Sequence, residues 1–127
     1  MKKFQSRSFK RSVSFALNGL RLAFRSQRNF RKHLLIAFFT LVVAFFLRVN
    51  VTEFCVILFA NGFVMVVEMI NSVVEFVIDA YYKNKWAKLA KLAKDIAAGA
   101  VLLSAVVSAT ISFIIFISKI YNIYYLF

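Results

Sequence analysis

Residues 66 to 79 read VVEMINSVVEFVID. The apolar residues suit a helix crossing a bilayer, yet the segment carries Glu68, Glu75 and Asp79, three of the five acidic residues in the chain. An Asp at the centre of a spanning helix costs roughly 2.5 to 3.5 kcal/mol on the insertion scale, so such groups are rarely placed there without a partner or a task. Taking Glu68 as zero and advancing 100° per residue puts Asn71 near about −60°, Glu75 near about −20°, Asp79 near about +20° and Ser72 near about +40°. All five polar groups share one helix face, which must look at protein, water or an ion rather than lipid. Carboxylates this close repel one another unless a cation shares the site, and a divalent metal is the obvious candidate.

The surrounding chain is built for a membrane. Its 127 residues are 62% hydrophobic, with a mean hydropathy of +0.78, well above the roughly even balance of a soluble domain. There is no proline, and the three glycines, Gly19, Gly62 and Gly99, are far apart, so the regular turn signals of a β-barrel are missing. The pattern predicts an all-α integral membrane protein: an amphipathic surface helix over residues 5–31, then spans over 33–48, 54–82 and 96–118, in one membrane domain covering 1–127. Within residues 9–24, Phe9, Val13, Ala16, Leu17, Leu20 and Phe24 share one arc, while Lys10, Arg11, Arg21 and Arg25 fall outside it, as expected for a helix lying on a membrane surface. The first span has fourteen uncharged residues between His33 and Arg48, about 21 Å against a core of about 30 Å, so its flanking bases must snorkel or be shielded.

The formal net charge of +12 raises the question of nucleic acid. The bases, however, flank apolar segments instead of lining a soluble reading surface, which excludes a nucleic-acid module and favours anionic head groups. Ten Lys or Arg occur in the first 32 residues and five from Lys83 to Lys94, against Arg48 alone in the connection between the first two spans. The positive-inside rule therefore places the N-terminus and the second connection in the cytoplasm. Asp79 then lies at the cytoplasmic edge, with Glu68 about 16 Å further into the span. The segment AKLAKLAKDIAAGA brings Lys88, Lys91, Lys94 and Asp95 to the same edge. Lysines beside carboxylates able to hold Mg²⁺ make a place for a polyphosphate. Neither a Walker A loop nor a Ser/His/Asp set is present, so side chains and metal must hold any phosphate. The lone Cys55 excludes a disulfide framework. Ala100, Ser104 and Ser108 form a small-residue stripe suited to close helix packing.

These residues carry a resemblance. NGLRLAF and NFRKHL before the first span, EMINSVVEFVID in the second and AKDIAAGAVLL opening the third resemble the small prokaryotic diacylglycerol kinase family, which includes undecaprenol kinases. The likeness runs from about residue 9 to 117. It implies a homotrimeric three-span kinase of the bacterial inner membrane that transfers the γ-phosphoryl group of ATP, with Mg²⁺, to a lipid hydroxyl. Undecaprenol is favoured as acceptor and diacylglycerol is a close second. Carried over by motif, Glu68 resembles the general base, with Asn71 beside it. Glu75 is similar to a Mg²⁺ ligand, and Asp79, Lys94 and Asp95 to nucleotide-side residues. Two departures stand out: Gln27 occupies the place of a second, glutamate metal ligand, and YYKNKWAKL offers lysines where the family carries a Glu and a His. The alternatives are a catalytically impaired member or a small cation- or proton-coupled transporter.

Overall fold

A computed structural model describes residues 8–126. They form four helices in the order α1 (Phe9–Ser26), α2 (Arg28–Phe46), α3 (Val51–Tyr82) and α4 (Lys88–Tyr125), with no strand among them. The chain is thus all-α, and α2, α3 and α4 are each long and apolar enough to cross a membrane. Residues 5–7, where the surface helix is expected to begin, lie outside the described residues.

α1 starts under a Ser8 cap whose side chain accepts from the Arg11 amide, satisfying one of the free donors of a first turn. It stops at Ser26, five residues before the end expected from sequence, because Gln27 leaves helical geometry at φ −105° and ψ 105°. No glycine or proline makes this elbow. Arg31 Nη1 instead reaches back from α2 and donates to the carbonyls of Phe24 and Arg25 at 2.7 and 2.9 Å. The carbonyls at a helix end have no partner of their own, and a guanidinium there also complements the negative end of the helix dipole.

Short connections make α2, α3 and α4 run antiparallel in turn, with α3 in the middle packing against both neighbours. Asn50 and Glu53 close a reciprocal capping box at the start of α3. Lys83 and Asn84 end that helix in the left-handed region, at φ 50° and 59°, a conformation that Asn tolerates better than Lys. This turn folds residues 84–87 over the last turn of α3. The buried apolar residues are mainly small, such as Ala44, Ala60 and Ala90, with Ile57 the largest fully buried side chain. Large apolar side chains including Phe39, Phe59, Leu103 and Ile114 point outward. That inversion suits lipid, which solvates such side chains, and lets small residues bring the backbones close. On α4 the small stripe runs through Ser104, Ser108 and Ser112, all buried, and Ala100 is exposed instead.

At the end of the bundle away from Asp79, Lys119 Nζ pairs with Glu53 at 2.8 Å, both side chains about three-quarters buried. The pair ties the start of α3 to the end of α4. Lys119→Met is expected to lower resistance to SDS unfolding by about 1 kcal/mol, because it leaves Glu53 unpaired in a partly desolvated position. The double variant with Glu53→Gln should recover part of that loss. An unchanged unfolding curve for Lys119→Met would show that the pair contributes nothing.

Candidate functional site

The polar face read from the α3 periodicity is turned toward α4 and α2. Glu68 is only 2% exposed, and Asn71 and Ser72 beside it are also buried. Ser72 Oγ donates to the Glu68 carbonyl at 3.0 Å, which keeps that hydroxyl within its own helix. Asn71 Nδ2 donates to Glu75 Oε1 across 3.5 Å, a long bond that orients the amide and leaves its oxygen over. Asn71 Oδ1 is fully buried and has no partner among the described residues. A buried acceptor without a donor costs about 1 to 3 kcal/mol, so this oxygen is set to take one from a cation or a hydroxyl. The ionisable groups whose charges reach Glu68 are His33 on α2 and Glu75.

Two turns beyond Glu68 toward the α3–α4 connection, Glu75 is half-buried. Asp79 follows, and its carboxylate is paired with Lys94 on α4. Asp95 pairs with Lys91 one turn back along its own helix. Asp79, Lys94, Asp95 and Lys91 all line one open cavity of about 400 Å³, with Tyr82, Asn84, Lys85 and Trp86 closing it from the turn. The cavity has both signs of charge at its walls. The structure therefore gathers Asp79, Lys94 and Asp95 at one end of the helices, with Glu75, Asn71 and Glu68 following along α3 into the span.

Gln27 lies apart from the charged cavity, in a separate groove whose lining does not include Glu75. The elbow held by Arg31 sets it in a groove of about 570 Å³ between α1 and α3, shared with Met69, Ser72, Val73 and Phe76, so it stands level with the Glu68–Glu75 stretch. Among the described residues, no three His, Cys, Asp or Glu side chains come together as a preformed metal cage. A Mg²⁺ ion does not require one, because it is commonly held by one or two carboxylates plus the phosphate oxygens of its nucleotide. Glu75, a half-buried carboxylate whose Oε1 accepts from Asn71 Nδ2, fits that kind of site.

The sequence reading missed two polar contacts. Glu53 with Lys119 is one; the topology puts both at the same bilayer edge, which was the available signal. Asn61 is the other: its Oδ1 accepts from Ser108 at 3.2 Å. It lies seven residues before Glu68, and so on the same α3 face, about 20° away.

With the geometry established, comparisons with known proteins bear on it. A family model described as prokaryotic diacylglycerol kinase matches residues 14–116. A diacylglycerol kinase of Synechocystis sp. is 35% identical over 100 residues, covering 79% of this chain and 57% of that protein. The chain thus spans little more than half the length of that relative. An undecaprenol kinase of Bacillus subtilis is 34% identical over 111 residues, covering 87% of this chain and 89% of that protein. A diacylglycerol kinase of Helicobacter pylori is 29% identical over 105 residues, covering 80% and 81%. The matched segment contains every residue of the face on α3 and the paired lysines and aspartate of α4.

Proposed function

The chain belongs to the prokaryotic diacylglycerol kinase family, a family of membrane lipid kinases, and we propose that it transfers the γ-phosphoryl group of ATP to the hydroxyl of a membrane lipid, undecaprenol in preference to diacylglycerol. The observation that carries this reading is the single face of α3. It runs from the buried Glu68, past an unpartnered acceptor on Asn71, to the Asp79–Lys94 pair at the rim of a charged cavity. A hydroxyl held inside the bilayer and a triphosphate held at its surface meet between these two ends.

Glu68 is the general base. It accepts the proton of the lipid hydroxyl as that oxygen bonds to the γ-phosphorus and the bond to ADP breaks. Asn71 orients the incoming hydroxyl or the metal through Oδ1. Asp79 holds the Lys94 ammonium at the cavity mouth, where it faces the phosphates, and Asp95 contributes to the nucleotide side. Glu75 and Gln27 would hold Mg²⁺. Bound there, the ion would draw charge from the phosphate oxygens. Such transfers depend mostly on alignment and electrostatics, which rigid helices supply. The lipid's tail stays in the bilayer throughout. The N-terminus and the α3–α4 connection face the cytoplasm of a bacterial inner membrane, in line with the skew of basic residues. A homotrimer with shared sites completes the reading: Glu75 and Asp79 are part-exposed in the single chain, which leaves room for a neighbour's helix.

Preference for undecaprenol is tested by offering both lipids at equal mole fraction to the purified chain and following label from γ-³²P-ATP. The expected result is faster labelling of undecaprenol. Equal or faster labelling of diacylglycerol would overturn the acceptor assignment, and no labelling of either would overturn the kinase reading.

Gln27 gives a gain-of-function prediction. An amide oxygen can ligate Mg²⁺ but adds no charge. Gln27→Glu should therefore lower the Mg²⁺ concentration for half-maximal rate by about tenfold, since ligand charge sets affinity at oxygen sites. A Mg²⁺ titration unmoved by this change would remove Gln27 from the metal site.

A further inference from the structure

A second polar feature lies deeper in the span, beyond Glu68 on the same face of α3. α2 and α4 flank α3 without closing on each other, and a cavity of about 270 Å³ opens between them. His33, Thr40, Asn61, Ser108, Ala109 and Ser112 contribute to its lining. Asn61 is 92% buried there (8% exposed). Its Oδ1 accepts from Ser108, while Nδ2 is fully buried and has no acceptor among the described residues. Turning the amide over would only exchange which atom is left, because Ser108 can satisfy one of the two.

Asn61 lies ten residues from the start of α3 at Val51, or about 15 Å, near the middle of a hydrocarbon core of about 30 Å. Lipid head groups and ester carbonyls sit at the interfaces, too far away to serve it. The large side chains that point outward at this depth, such as Phe38, Phe59, Phe63, Val106 and Val107, are apolar, so a second copy packed here would offer mostly hydrocarbon. The cavity far exceeds the roughly 10 to 15 Å³ that one water needs, and it presents several hydrogen-bonding walls. We propose that it is a water-binding site within the membrane-spanning region, with the Asn61 amide and the hydroxyls of Thr40, Ser108 and Ser112 as its partners. Water there would lie about two turns beyond Glu68 on the polar face of α3. It also explains how an Asn is kept at mid-depth without a full set of protein partners.

The test uses the full chain in lipid nanodiscs with Cys55→Ser as background. A single cysteine is placed at Ala109, on the cavity wall, or at Val107, on the outward face at the same depth, and its reaction with methanethiosulfonate ethylammonium is timed. Thiolate forms only where water reaches the sulfur, so Ala109→Cys should react at least about tenfold faster than Val107→Cys. Adding Asn61→Leu, which replaces the amide on the cavity wall with hydrocarbon, should bring the Ala109→Cys rate down to that of Val107→Cys. Equal rates at the two positions, as an acyl chain or a neighbouring helix in the groove would give, would overturn the proposal. So would an Ala109→Cys rate indifferent to Asn61→Leu. Should Asn61→Leu fail to assemble, the comparison of Ala109→Cys with Val107→Cys decides alone.

Discussion

Glu68→Gln is expected to reduce the rate of lipid phosphorylation by roughly 10² to 10⁴-fold while leaving nucleotide affinity nearly unchanged. The substitution keeps the shape of a side chain only 2% exposed and keeps one acceptor oxygen. What it removes is the oxygen that takes the acceptor's proton. Glu68 is also well separated along α3 from the Asp79–Lys94 pair, so the nucleotide end should not sense the change. The measurement is label transfer from γ-³²P-ATP under saturating lipid, with nucleotide binding followed separately. A variant that retains more than about a tenth of the activity would mean that another group, or none, receives the proton.

Lys94→Met should have the second-largest effect, about 10² to 10³-fold in kcat, the usual cost of deleting one fixed charge aimed at a developing anion. It acts at the opposite end of the stripe and so should also raise the KM for ATP, unlike Glu68→Gln. Asp79→Asn should have a milder effect, because it loosens the ammonium without removing it. Lys94→Arg should restore only part of the rate: a planar fork does not reproduce a compact ammonium held by one carboxylate. If Lys94→Met and Asp79→Asn lowered the rate equally without touching the KM, the pair would be a structural tie between α3 and α4 and not a phosphate contact.

The features legible in the sequence were those written in periodicity. Glu68, Asn71, Ser72, Glu75 and Asp79 fall on one face by their spacing alone, and the three spans stand out because hydrocarbon tolerates so few charges. Pairing Asp79 with Lys94 needed only the topology, since a short turn must bring the end of α3 beside the start of α4. Helix ends were harder to read. α4 begins at Lys88, well before the apolar run at 96, because lysine is a good helix former whose stem lies along the helix while its charge reaches water. The elbow at Gln27 was invisible, as it is made by the long reach of Arg31 to two carbonyls and not by any local breaker. Asn61 lay on the same face as Glu68, but a lone amide in a span is usually a packing residue. Only the buried Nδ2 and the open space beside it set this one apart.

In the proposed mechanism the metal–nucleotide complex sits at the Glu75–Asp79 end of α3. Cys55, the chain's single and exposed cysteine, lies at the other end of the same helix and can carry a nitroxide. With Mn²⁺ and a non-hydrolysable ATP analogue bound to the otherwise unaltered chain, pulsed electron paramagnetic resonance should give a shortest manganese–nitroxide distance of about 30 Å, the rise over the twenty residues from Cys55 to Glu75. The signal should disappear in Glu75→Gln. A distance below about 15 Å, which would place the metal within about ten residues of Cys55 along α3, or a signal untouched by Glu75→Gln, would contradict that placement.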